Sequence, residues 1–140
     1  MALAMAMAAV FALALSAVTA NATTYTVNTL NDSSGNGDCS LRDAINAANG
    51  NPTSRSTCTT PGSGNDTIKF SVPGTITLGS TLPAIANTAP NSLTINGSGQ
   101  SITVNGNHAV EVMVVNSGAT LSLANLTIAD GNSALLVLLC

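Results

Sequence analysis

A chain of 140 residues is long enough for one domain. Only 6% of its residues are charged and 2% aromatic, and its net charge of −3 includes three basic residues, Arg42, Arg55 and Lys69. Cations so few and scattered exclude a binder of nucleic acid or of an anionic membrane surface, which needs a basic patch. The low charge argues against disorder, and the shortage of aromatic residues argues against a compact two-layer core.

Met1 to Ala20 is apolar and alanine-rich, and it leads into Ala20-Asn21-Ala22, small residues that suit signal peptidase. The pattern predicts a secretory signal over residues 1–22 and an exported mature chain. No Lys or Arg precedes Arg42, so the usual positive n-region is missing, which leaves room for a start further upstream. A transmembrane anchor is the alternative. The stretch is just long enough for one, but alanine favours hydrocarbon weakly and the cleavage pattern favours the signal. The mature chain is therefore expected not to span a membrane.

Residues 23–64 form an N-terminal segment. Thr24-Tyr25-Thr26-Val27 alternates polar and apolar side chains and predicts a strand. Residues 31–38 are Asn, Asp, Ser and Gly, a loop by composition. Asp32, Asn36 and Asp38 could hold calcium there, but they lack the EF-hand spacing and its terminal Glu, and turn chemistry explains them better. The stretch from Cys39 to Asn49 predicts a helix. Ser40 is its N-cap, and Asp43 three residues on completes a capping box and favours the positive helix end. Leu41, Ala44, Ile45 and Ala48 share one face, and Asn49-Gly50 supplies the stop. A helix this short is marginal alone. Placed just before a repeat array, it is expected to lie over the array's open end.

Cys39 and Cys58 flank that helix. In an exported chain they are expected to form a structural disulfide; two buried thiols are the alternative if the chain is not exported. A zinc site is disfavoured because His108 is the sole histidine.

Residues 65–131 carry a repeat. Short aliphatic strands recur with Asn-rich corners: Leu93-Thr94-Ile95 before Asn96-Gly97, Ile102-Thr103-Val104 before Asn105-Gly106, Val112 to Val115 before Asn116, and Leu121-Ser122-Leu123 before Asn125. Leu93 to Val112 and Ile102 to Leu121 are each 19 residues, so the spacing predicts two strands per period of about 20 residues. The predicted fold is all-β: a parallel β-solenoid of about three coils with aliphatic residues inside and Thr and Ser outside. An antiparallel sandwich is the alternative. Ile76-Thr77-Leu78 is expected to be its first rung, and Leu82-Pro83-Ala84-Ile85 a packed loop or edge segment.

Cys39-Ser40-Leu41-Arg42-Asp43-Ala44 resembles the signature of the CSLREA-motif family of secreted bacterial β-helix proteins, with Asp43 where the family has Glu. Asn65 to Phe70, Gly74 to Leu78, Gly118 to Leu121 and Leu126 to Gly131 resemble the blocks that follow. The resemblance covers most of residues 25–131. It implies a right-handed parallel β-helix with a capping helix, on exported surface proteins similar to polymorphic outer-membrane proteins and adhesins. It implies no catalytic residues.

Residues 132–140 form an atypical tail, apolar on both faces, ending in the odd thiol Cys140. The expectation is a truncated or frame-shifted reading frame; a short complete protein whose tail folds over the open end is the alternative.

The acids Asp32, Asp38, Asp43, Asp66, Glu111 and Asp130 are dispersed. Glu111 and Asp130 are 19 apart, one expected period, which makes them the only candidate acid pair. Two solvated corner residues is the plainer reading, because nothing else converges on them. His108 has no acid or nucleophile at a recognisable spacing. No catalytic residue, cofactor or metal is expected. The expected function is a non-catalytic secreted or cell-surface module for adhesion or surface structure, binding a surface glycan or a protein. A pectate-lyase-like polysaccharide lyase or hydrolase is the alternative.

Overall fold

The computed structural model describes residues 21–133. Residues 1–20, most of the expected signal over residues 1–22, and residues 134–140 of the expected tail, including Cys140, lie outside the described residues. The elements in order are β1 (Thr24–Val27), α1 (Leu41–Ala48), β2 (Asn65–Phe70), β3 (Gly74–Thr77), β4 (Ser92–Asn96), β5 (Ile102–Asn105), β6 (Leu121–Ala124) and β7 (Thr127–Ala129). The fold is therefore mostly strands with one short helix.

The strands form two sheets, ordered β1-β2-β4-β6 and β3-β5-β7. Every strand pair is parallel, which removes the antiparallel sandwich. Period-2 alternation aims one set of side chains at a shared core. Ile68, Leu93 and Ile95 of the first sheet and Ile76 and Val104 of the second are buried there with Val27 and Ile85. Parallel register aligns like with like. Ile68 lies beside Ile95, which lies beside Leu123, and Ile76 lies beside Val104, which lies beside Ile128. Aliphatic residues fill this interior, and the aromatic members of the core are Tyr25 and Phe70.

The expected repeat of two strands per period is corrected. Leu93 pairs with Leu121, not with Val112, and Gly74 pairs with Ile102 and Thr103 with Thr127. The return to the same sheet is thus longer than the spacing from Leu93 to Val112. Val112 to Val115 belong instead to a third extended strip. It meets the Leu82–Ile85 segment through a parallel bridge, Ile85 to Val115, with the Ile85 N–H donating to Val114 O at 2.8 Å. The chain passes through three extended segments, not two, before it returns to the first sheet. Ile76-Thr77-Leu78 is likewise not where the sheets begin. β1 already pairs with β2, Thr24 beside Thr67, across the intervening helix and loop.

α1 forms because its first turn is capped on both sides. Ser40 Oγ accepts the Asp43 N–H at 3.1 Å, and the Asp43 carboxylate accepts from the Ser40 backbone and hydroxyl. At the other end Gly50 takes a left-handed φ of 82°. Leu41, Ala44, Ile45, Ala47 and Ala48 are buried against the core, and α1 packs on β1 and β2. β1 is an edge strand, yet Tyr25 and Val27 are buried. Ser40→Ala is expected to cost about 1 kcal/mol, the usual loss for an N-cap. Urea denaturation checks this, and Ser40→Thr should recover most of the loss.

At the opposite end the described residues leave apolar side chains exposed. The large hydrophobic residues that stand exposed among the described residues are Val114 (37%), Val115 (45%), Leu123 (43%) and Ile128 (41%), all on the last strands or the strip beside them.

Candidate functional site

The motif residues converge on the closed end. Cys39 and Cys58 are paired at disulfide distance with Cα atoms 5.3 Å apart, tying the helix N-terminus to the residue 51–64 loop. Arg42 is the hub of a polar knot. Its Nη2 bonds both carboxylate oxygens of Asp32 at 2.9 Å and the Ser80 carbonyl at 2.8 Å, while Nη1 bonds the Thr81 carbonyl at 2.8 Å. Asp32 also accepts the Gly79 N–H at 2.9 Å. Both oxygens of Asp32 are thus engaged by its own chain, and this ion pair ties the 31–38 loop to α1. The same end is tied further along: Asn49 Nδ2 donates to Ala84 O at 2.8 Å, and Asn87 Nδ2 donates to Ala48 O at 3.0 Å.

The candidate acid pair is not brought into one register. Residue 129 aligns with Asn105, which puts Asp130 beside Gly106 and not beside Glu111. Asp130 accepts from Asn105 Nδ2 at 2.6 Å and lies 3.6 Å from Nε2 of His108, an exposed contact at a corner where His108 and Asp130 both have left-handed φ. Glu111 instead lines a shallow hollow with Val112, Met113, Ile128, Gly131 and Ser133. The pairing failed because it rested on a two-strand period. Among the described residues no cluster of three or more His, Cys, Asp or Glu could hold a metal ion. No helix among them is long and apolar enough to cross a membrane.

What the fold does assemble is polar surface. Thr24, Thr67, Thr94 and Ser122 are register partners across the first sheet, and Thr75, Thr103 and Thr127 across the second. Their alternation with buried neighbours turns them outward, about 4.8 Å from strand to strand. Thr94 and Thr103 stand on different sheets. Asparagines line the corners in the same way, with Asn125 Nδ2 donating to Asn96 Oδ1 at 3.1 Å.

A groove of about 200 Å³ runs along the free edge of β1, between Thr23–Thr26 and Thr57–Thr60, with Cys39 and Cys58 also lining it. Thr23 O accepts from Thr67 of β2 and Val27 O from Ser71 just after it, so in a parallel ladder the backbone groups of Thr24 and Thr26 point the other way, toward this groove. Its lining holds hydroxyls, a disulfide and the Tyr25 ring, but no acid–base pair. Tyr25 donates to Thr60 O at 2.9 Å. Burial, reinforced by the nearby Asp66 charge, pushes its phenol up to about 12.

Comparison with protein families, with curated proteins and with solved structures finds no match to this chain.

Proposed function

We propose that the chain is a right-handed parallel β-helix module of the CSLREA type, exported, and that it acts without catalysis in adhesion or surface structure. Two wholly parallel sheets joined through a third bridged strip are what a three-sided coil produces. Parallel β connections are right-handed in nearly all proteins, which supports the hand. The Cys39-Ser40-Leu41-Arg42 motif fits that role, because each residue makes a closing contact: a cystine, an N-cap, a core side chain and an ion-pair hub.

The observation that carries the functional reading is the pair of in-register hydroxyl rows on the outer faces. Rows of hydroxyls beside Asn corners suit a glycan or a flat polar protein surface, recognised by many weak contacts instead of a deep pocket. The chain would be secreted with a mature start at Thr23.

The test uses immobilised polysaccharides. The purified protein is expected to be retained on at least one and to leave its chain length unchanged. Thr67→Val with Thr94→Val, which removes both outward hydroxyls of the first sheet and keeps the branched strand shape, is expected to weaken retention about tenfold, or about 1.4 kcal/mol, with little change in melting temperature. Release of unsaturated uronic-acid ends would replace this reading with the lyase. Retention indifferent to the double substitution would remove the hydroxyl rows as the binding face.

A further inference from the structure

Asp66 sits where four segments meet: the stretch before β1, the end of α1, residues 60–64 and the start of β2. Its side chain is 1% exposed. Oδ1 accepts the Thr23 N–H at 2.8 Å, and the Gly64 N–H also bonds the carboxylate. Oδ2 is buried without a partner. A Cβ added to Gly62 would collide with both that oxygen and the Ala48 carbonyl oxygen, so the two oxygens flank one glycine. Ala48 closes α1, where the helix carries its negative end. Ionised, Asp66 puts an unpaired buried charge at that negative end. Neutral, it carries an O–H directed into the same corner and no charge to desolvate.

We propose that Asp66 is an acid-set latch: its neutral form locks Thr23, Gly62 and the end of α1 together, and its ionised form loosens that junction. Burial pushes the Asp66 carboxyl above its ordinary range, against the opposing pull of the Thr23 and Gly64 N–H groups. Tyr25 is the titratable neighbour in this corner, and its raised pKa keeps it neutral wherever a carboxyl titrates. The one acid on α1, Asp43, lies at the opposite helix end, and Lys69 of β2 is on the outward face. With the folded pKa raised above the unfolded one, the latch's contribution is complete below the unfolded pKa. It is lost as pH rises through the folded value. The proposal does not depend on the surface role, and it holds for the chain with residues 21 and 22 attached: cleavage before Thr23 would replace its amide with an ammonium beside Oδ1, which favours the ionised carboxyl and removes the latch.

Two measurements on the intact chain test it: an NMR titration of the Asp66 carboxyl, and hydrogen exchange at the Thr23 and Gly64 amides against pH. The carboxyl is expected to titrate above about 3.9, its ordinary value. Once corrected for intrinsic exchange, the opening of both amides should rise several-fold as pH climbs through that midpoint. Asp66→Asn, whose amide N–H₂ stands in for the O–H, should hold both at the acid level throughout. A midpoint at or below the ordinary value overturns the latch, as does an Asn variant that keeps the parent's pH slope. The titration needs no variant, so it decides even if Asp66→Asn fails to fold.

Discussion

Replacing Arg42 with alanine is expected to destabilise the chain by about 3 kcal/mol, the scale for removing one partner of a buried ion pair. The Arg42 and Asp32 side chains are only 15% and 13% exposed, so water can do little to compensate the carboxylate left behind. Three further groups lose their partner together: the carbonyls of Ser80 and Thr81, and the backbone carbonyl of Asp32, which accepts from Nε at 3.1 Å. Arg42→Lys separates charge from geometry. An ammonium keeps the charge opposite Asp32, but one point donor cannot span a carboxylate and two carbonyls as the guanidinium fork does. Equilibrium denaturation should show lysine recovering less than half of the loss. A lysine variant as stable as the parent would mean that charge alone holds this corner and that the forked geometry is incidental.

That knot shows what the sequence could and could not convey. The helix was legible because its signals are local: Ser40 three residues before Asp43, four small or aliphatic residues on one face, and Gly50 at the stop. The ends of α1 and the reciprocal Ser40–Asp43 bonds are read from neighbours within one turn. Parallel strands with aliphatic interiors were also legible, because alternation survives in units as short as Leu93-Thr94-Ile95.

The number of such units per repeat was not legible. Leu93, Ile102, Val112 and Leu121 begin segments of nearly equal length with similar Asn corners, and counting by twos or by threes fits those spacings alike. Only pairing decides, and pairing joins residues as far apart in the chain as Leu93 and Leu121 or Thr103 and Thr127. The false Glu111–Asp130 pair descends from that one ambiguity. Two partnerships of the closed end were equally hidden. Nothing near Arg42 in the chain announces Ser80 and Thr81, and nothing near Asp66 announces Thr23 or Gly62. Asp66 did carry a faint signal, an acid at a position whose alternation with Ile68 and Phe70 assigns it to the core. A charge on the buried face of a strand asks for an explanation.

Removing the cystine by Cys39→Ser with Cys58→Ser is expected to cost about 3 kcal/mol, the chain-entropy value for a loop of this length. The reason the bridge matters lies in the segment it closes. Between Asn51 and Pro61 only Ser56 and Cys58 are buried, so hydrophobic burial offers this stretch almost nothing. Its other ties are hydrogen bonds: Thr57 N–H and Ser56 Oγ donate to Asp38 O, Gly37 N–H donates to Arg55 O, Asn51 N–H donates to Asn46 O, Asn46 Nδ2 donates to Thr53 Oγ1, and Tyr25 donates to Thr60 O. Such bonds contribute about 1 kcal/mol each once exchange with water is counted, too little to order the whole stretch. Reductant should therefore lower the denaturation midpoint of the parent to that of the double serine variant and leave the variant unmoved. The two experiments share one end state, which guards against a packing effect of serine. If the variant instead denatured at the same midpoint as the oxidised parent, the loop would be drawing its order from those hydrogen bonds. The cystine would then be a consequence of the fold's proximity and no cause of its stability.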